Sequence, residues 1–171
     1  MDFSNAPIEI ENLPKLDDTE LKLISRKYLN VIVINTLIVY VVLFSLLISA
    51  KLISDDVAIQ QYFWYPFFSI LGIMLLNIVL VVLAFHKRKY AVRDHDVIYS
   101  KGLLVNSVTT VPISRIQHIE ASRSWLARQF GLATLNLFTA GESGSDLSIK
   151  GLPEVEAKQI NDFISGKVNG N

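Results

Sequence analysis

The chain has no cysteine among its 171 residues. Disulfides, thiolate metal sites and cysteine nucleophiles are excluded, and redox arguments do not assign a compartment. Net charge is lacking too, since sixteen Lys and Arg balance sixteen Asp and Glu. Nucleic-acid binding needs a basic stripe with interleaved aromatics, and none occurs, so no nucleic-acid partner is expected. Histidine is scarce: His86, His95 and His118 are scattered, with no pair at the i, i+4 spacing of a helical metal site. Asp94-His95-Asp96 is contiguous, so its side chains diverge, and it reads as a turn. Phosphate-loop and dinucleotide fingerprints are missing. Residues 141–145, "GESGS", resemble a nucleophile elbow, but the fifth position is Ser145 and no strand-to-helix switch follows. Neither catalysis nor a cofactor is expected.

Two long stretches, 28–50 and 62–85, lack charge altogether, in a chain that is 51% hydrophobic. A helix of that length covers roughly 35 Å, enough to cross a hydrocarbon core of about 30 Å. Both are read as transmembrane spans forming a hairpin over 28–85. The first apolar run starts near Tyr28 and is too long for the core of a cleavable signal, so none is expected. Lys22, Arg26 and Lys27 precede the first span, and Lys87, Arg88, Lys89 and Arg93 follow the second. The connecting segment offers Lys51 against Asp55 and Asp56. That bias predicts a multi-pass protein of the cell inner membrane with both termini cytoplasmic and Tyr62, Phe63, Trp64 and Tyr65 as an outer aromatic belt. Asn35 in the first span and Asn77 in the second are amides at nearly the same depth. They are predicted either to bond each other, for about 0.6 kcal/mol, or to meet another membrane protein or a second copy.

Residues 1–27 are predicted to be a cytoplasmic tail with a short amphipathic helix, using Leu16, Leu21, Leu23 and Ile24 with Asp17 or Asp18 as cap. From residue 86 to 171 the texture turns to β. "YAVRD" and "DVIYS" flank a polar turn, and "LLVNSVTTVPI" places Val111 and Ile113 on one face. In "RIQHIEA" the three-residue step from Ile116 to Ile119 predicts a bulge. "ATLNLFTA" and "LSIKG" alternate around a "GESGSD" loop. A closing helix has Pro153 in its first turn, Glu154 and Glu156 near its positive end, an apolar set of Val155, Ile160, Phe163 and Ile164, and Gly166 beyond its end. Short antiparallel strands closed by one helix describe a small, partly open barrel with a helical plug.

The ordered set "YAVRD", "VIYSKG", "VPISRIQHI", "SWLARQFGLATLNLFTAG" and "IKGL" resembles the bacterial pleckstrin-homology-like (PH-like) family, and in particular its YdbS-like membrane proteins. The likeness runs over residues 28 to 165. It implies a barrel of about seven antiparallel strands with a C-terminal helix, and it implies no settled ligand. It also suggests a larger membrane protein with related PH-like domains as partner; membrane lipids and a homo-oligomer are the other partners considered.

"SRSWLARQFG" (122–131) is ambiguous between a structural cap and a membrane contact. On an ideal helix Leu126, Ala127 and Phe130 share one face while Trp125 and Arg128 point away. The first group reads as core, and the second suits an interfacial anchor. Arg123 either joins that anchor or pairs with Glu120. With the juxtamembrane Lys87, Arg88 and Lys89, these residues are the candidate lipid or partner contacts, although topology alone accounts for the juxtamembrane cluster. Two functions follow from different classes: a membrane-anchored, non-catalytic interaction module, or a subunit of an export or resistance complex in which the spans themselves matter.

Overall fold

The computed structural model describes residues 20–103, 105–139 and 147–169. The chain runs β1 (Lys22–Leu23), α1 (Lys27–Ile53), α2 (Val57–Tyr62), α3 (Trp64–Phe85), β2 (Lys89–Val92), β3 (Asp96–Lys101), β4 (Ser107–Pro112), a 3-10 turn (Ile113–Arg115), β5 (Ile116–Ser122), α4 (Trp125–Gln129), β6 (Leu132–Thr139), β7 (Leu147–Pro153) and α5 (Glu154–Asn169). The expected Leu16, its Asp17 or Asp18 cap and the 141–146 loop fall outside the described residues.

The spans are α1 and α3, antiparallel and packed on each other, with Phe44 on Phe67 at 5.1 Å between ring centroids. Their Val and Ile content would weaken a helix in water, but in lipid every backbone group must bond within its own segment. The hydroxyls follow the same rule. Thr36, Ser45 and Ser49 each donate to the carbonyl four residues back, at 2.8 to 2.9 Å. Between the spans, Asp56 caps the short α2 by accepting from the Ala58 backbone at 2.8 Å. Phe63 then breaks the run, so the second span starts at Trp64 instead of Tyr62.

The remaining strands form two antiparallel sheets, ordered β1-β2-β3-β4 and β5-β6-β7, which close on α5 as a PH-like barrel. Val97, Leu135, Leu137, Ile149, Leu152 and Ile164 make its solvent-free centre. The predicted alternation of Leu135 and Leu137 against Asn136 holds, with Asn136 bridging the hydroxyls of Ser122 at 3.1 Å and Ser148 at 2.8 Å on the other face. The bulge expected near Ile116 is present as a register shift between Ile116 and His118. Arg93 N–H donates to the Asp96 carbonyl at 2.8 Å and the two side chains form an ion pair, which makes the Asp94–His95 step a turn.

Four expectations change. Residues 20–24 form no helix: Lys22 and Leu23 pair with Tyr90 and Lys89 as a strand, and Ile24 is buried in the barrel core. One of the seven strands thus comes from before the spans, so the barrel is not confined to 86–171. Ile113 leaves the strand for the 3-10 turn but stays buried. In α5 the buried stripe is Ala157, Ile160 and Ile164, spaced 3 and 4, while Val155 and Phe163 fall outside it and are exposed. Finally, both ends of α5 shift: Pro153 ends β7 instead of lying in the helix's first turn, and the helix runs to Asn169, so Gly166 lies inside it.

Candidate functional site

The barrel meets the first span at one corner, and the stretch 122–131 builds it. Ser124 caps α4 by accepting from the Ala127 backbone at 3.3 Å. After one turn Gly131 takes φ +65° and carries the chain into β6. Ala127 and Leu132 are buried against Val31 of the first span, with Tyr28, Leu126 and Phe130 around them. Leu126 and Phe130 therefore act as packing residues, as their spacing suggests, but the cluster they join includes the span. Val31 is the one buried residue of α1. It lies one turn beyond Lys27, so α4 sits within about 6 Å of the span's barrel-side end.

Tyr28 is the second tie. Gly151 in β7 adopts φ +84°, and a Cβ there would lie 2.4 Å from the Tyr28 Cγ. The ring thus passes directly over a backbone that only glycine can present. Ser25 N–H donates to the Gly151 carbonyl at 3.1 Å, fixing the chain just before the span.

The candidate contact residues divide into two sets. Arg123 forms an ion pair with Glu154 at the start of α5, instead of the Glu120 considered from sequence. Arg88 is half-buried, its guanidinium 5.8 Å from the Tyr28 ring centroid. Burial pushes the Tyr99 phenol up, while the Arg88 charge pulls it partly back, which places that charge inside the junction. These two arginines hold the corner together. Lys87, Lys89 and Arg128 are exposed and make no ion pair among the described residues, and Trp125, on α4 with Arg128, is 73% exposed. Arg88 and α4 both flank Tyr28, so the juxtamembrane cluster and the 122–131 stretch converge on one corner.

The Asn35–Asn77 bond is absent. Both amides are exposed, and neither makes a hydrogen bond within the described residues. The depth estimate was right and the facing was wrong. Nine residues from Phe44 reach Asn35 and ten from Phe67 reach Asn77, so their heights differ by about 1.5 Å. Asn77, however, lines a groove beside the seam together with Thr36 and Tyr40, and Asn35 is not among the residues of that groove. No cluster of three His, Cys, Asp or Glu that could hold a metal occurs among the described residues.

No solved structure matches the chain significantly. It is similar to a UPF0699 transmembrane protein, YdbS, of Bacillus subtilis (strain 168), at 30% identity over 115 residues, which cover 63% of this chain and 70% of that one. The model of the bacterial PH domain family matches residues 28–168, from the Tyr28 that braces Gly151 to the last turn of α5, and the chain belongs to that family.

Proposed function

We propose that this protein is a non-catalytic interaction module, held by its hairpin at the cytoplasmic face of a bacterial inner membrane. Its α4 corner binds anionic lipid headgroups, or a protein partner seated on them. One observation carries this reading: α4 is docked on the lower turn of a span while Trp125 stays 73% exposed and Arg128 has no ion-pair partner among the described residues. An amphipathic ring and a free cation at that height suit the headgroup layer. The cations around Tyr28 and Phe85 favour the cytoplasmic side for the barrel. Lys51 supports this orientation, because its ammonium is folded over the rings of Phe63 at 4.3 Å and Trp64 at 5.2 Å. A protein partner of matching architecture would be a membrane protein carrying related PH-like domains.

The test uses the full chain in lipid nanodiscs. Trp64→Phe leaves Trp125 as the single tryptophan. Its emission should be quenched by headgroup-level spin labels in anionic discs. Arg128→Ala should weaken that docking about fivefold, the effect of one cation of about 1 kcal/mol at an anionic surface. Water-like emission, indifferent to lipid charge, would remove lipid as the ligand. A stoichiometric membrane protein that co-purifies with the wild type but not with Trp125→Ala would then identify the corner as a protein interface.

A second reading, a subunit of an export or resistance assembly, draws support from the polar groups left open on the hairpin. Replacing both spans with unrelated ones separates the two: retained activity favours the module, and lost activity favours the assembly.

A further inference from the structure

A groove runs along one side of the hairpin. Its inner part, about 350 Å3, is lined by Thr36, Tyr40, Leu43, Ile70, Ile73 and Asn77 among others. Further out, a second hollow of about 390 Å3 is lined by Leu47, Ala50 and Pro66 on the same helix faces, with α2 residues such as Ile59 beside them. The first span contributes Thr36, Tyr40, Leu43, Leu47 and Ala50, at steps of 4, 3, 4 and 3 residues. The second contributes Pro66, Ile70, Ile73 and Asn77, at steps of 4, 3 and 4. Both rows follow the 3.5-residue period with which helices interlock in left-handed bundles. The groove is about 21 Å long, the scale of a packed helix.

Apart from Phe63 at its outer turn, the hairpin has no interior of its own. The one buried residue in each span is Val31 or Phe85, and both are covered by the barrel. Polar groups in the spans therefore have nowhere to hide within one copy. The Thr36 hydroxyl is satisfied by Ile32, but the Asn77 amide and the Tyr40 hydroxyl, both lining the groove, have no hydrogen-bond partner among the described residues. An acyl chain would fill the groove and leave both unpaired, at a cost of several kcal/mol per group in hydrocarbon. The occupant must offer polar atoms at the height of Asn77.

The chain itself carries such a group. Asn35 is exposed, unpaired and level with Asn77. It lies one residue before Thr36, about 100° further round the helix on the groove side. We propose that the groove receives the first span of a second copy, so that Asn35 of each protomer bonds Asn77 of the other. Two copies inserted in the same direction are related by a two-fold axis along the membrane normal, which preserves depth and makes both amide pairs at once. The result is a four-helix bundle in which the first spans cross near Leu43. This inference does not depend on what the barrel binds.

The absence of cysteine makes the test direct. Leu43→Cys and Val39→Cys line the groove, whereas Val41→Cys, 62% exposed, lies on the opposite side of the same span. In oxidised membranes the first two should yield a disulfide-linked species of twice the chain mass, and Val41→Cys should stay at background. Adding Asn35→Leu or Asn77→Leu to Leu43→Cys should lower the linked fraction roughly five- to tenfold, the loss expected for two membrane amide pairs. The double Asn variant should lose no more than either single one. The proposal is overturned by equal linking at Leu43 and Val41, by no linking at either groove position, or by linking that ignores both Asn substitutions. An adduct of different mass at Leu43 would also overturn it, by showing another membrane protein in the groove.

Discussion

Gly151→Ala should destabilise the protein by about 3 kcal/mol, through a glycine that the fold uses in two ways. Its φ of +84° costs an alanine about 1–2 kcal/mol. The new methyl would also lie 2.4, 2.6 and 2.7 Å from Cγ, Cδ1 and Cβ of Tyr28. These atoms are the root of the side chain, so no rotation of the ring tip relieves the overlap, and either β7 or the first turn of the span must move. Moving the span pulls Val31 from Ala127 and Leu132 and lifts Tyr28 from Arg88. The check is a double-mutant cycle by denaturant unfolding of the full chain in micelles. In a Tyr28→Ala background, which removes the ring but keeps the Cβ at 2.7 Å, Gly151→Ala should cost less than in the wild type, by the part due to Cγ and Cδ1. Strict additivity would mean that the ring contact is not what the glycine protects.

That contact was invisible in the sequence, and the reason is general to the junction. The spans were legible because absence of charge over twenty residues is a local signal. Strands β6 and β7 were legible because of their period-2 patterning, and β5 because its three-residue apolar step reads as a strand with a bulge. Strand β1 has two residues, too few for any periodicity, and pairs with residues 66 and 68 positions later in the chain. Its identity as a strand depends on the spans folding back to bring β2 alongside. In α5, Val155 and Phe163 were as apolar as Ile160, and only the partner surface decides which stripe turns inward.

The candidate site divides along the same line. Trp125 and Arg128 could be separated from Leu126 and Phe130 by helical geometry alone, and the structure keeps that separation. Whether an arginine is free or engaged could not be read, because Glu154 and Tyr28 are distant in sequence from Arg123 and Arg88. The asparagines failed for a subtler reason. Depth follows from counting residues, but facing depends on which of several possible seams two apolar helices choose. Both spans are apolar all round, and so gave no stripe to decide it.

Acid should loosen the N-terminal strand before it unfolds the barrel, and Glu156 is the group responsible. Its carboxylate receives the Lys22 ammonium at 2.7 Å and the hydroxyl of Tyr90, joining β1, β2 and α5. Burial alone would raise the Glu156 carboxyl, but the bonds from Lys22 and Tyr90, with the Lys22 charge, outweigh it and hold the group below its ordinary 4.5. Glu20 lines the same surface hollow as Lys22, Tyr90 and Glu156, as a second carboxylate. Because the folded value is depressed, the stabilisation is fully present above the unfolded value and is lost as pH falls from about 4.5 through the folded one. Tyr90 does not add a limb of its own in this range, because burial first, and then the Glu156 bond and charge, push its phenol well above ordinary values. Glu156→Gln keeps an acceptor for Tyr90 and loses the charge, so it should retain most stability at pH 7 and flatten the acid limb relative to wild type. Glu156→Ala strands a hydroxyl on a residue only 3% exposed, and should cost about 1–3 kcal/mol at neutral pH. Unfolding midpoints of the three proteins from pH 7 to pH 3.5 check both parts. The comparison with Gln isolates this carboxylate from those of the Arg93–Asp96 and Arg123–Glu154 pairs, which are the same in all three proteins. Identical acid limbs in wild type and Glu156→Gln would show that the three-element tie contributes no pH-dependent stability.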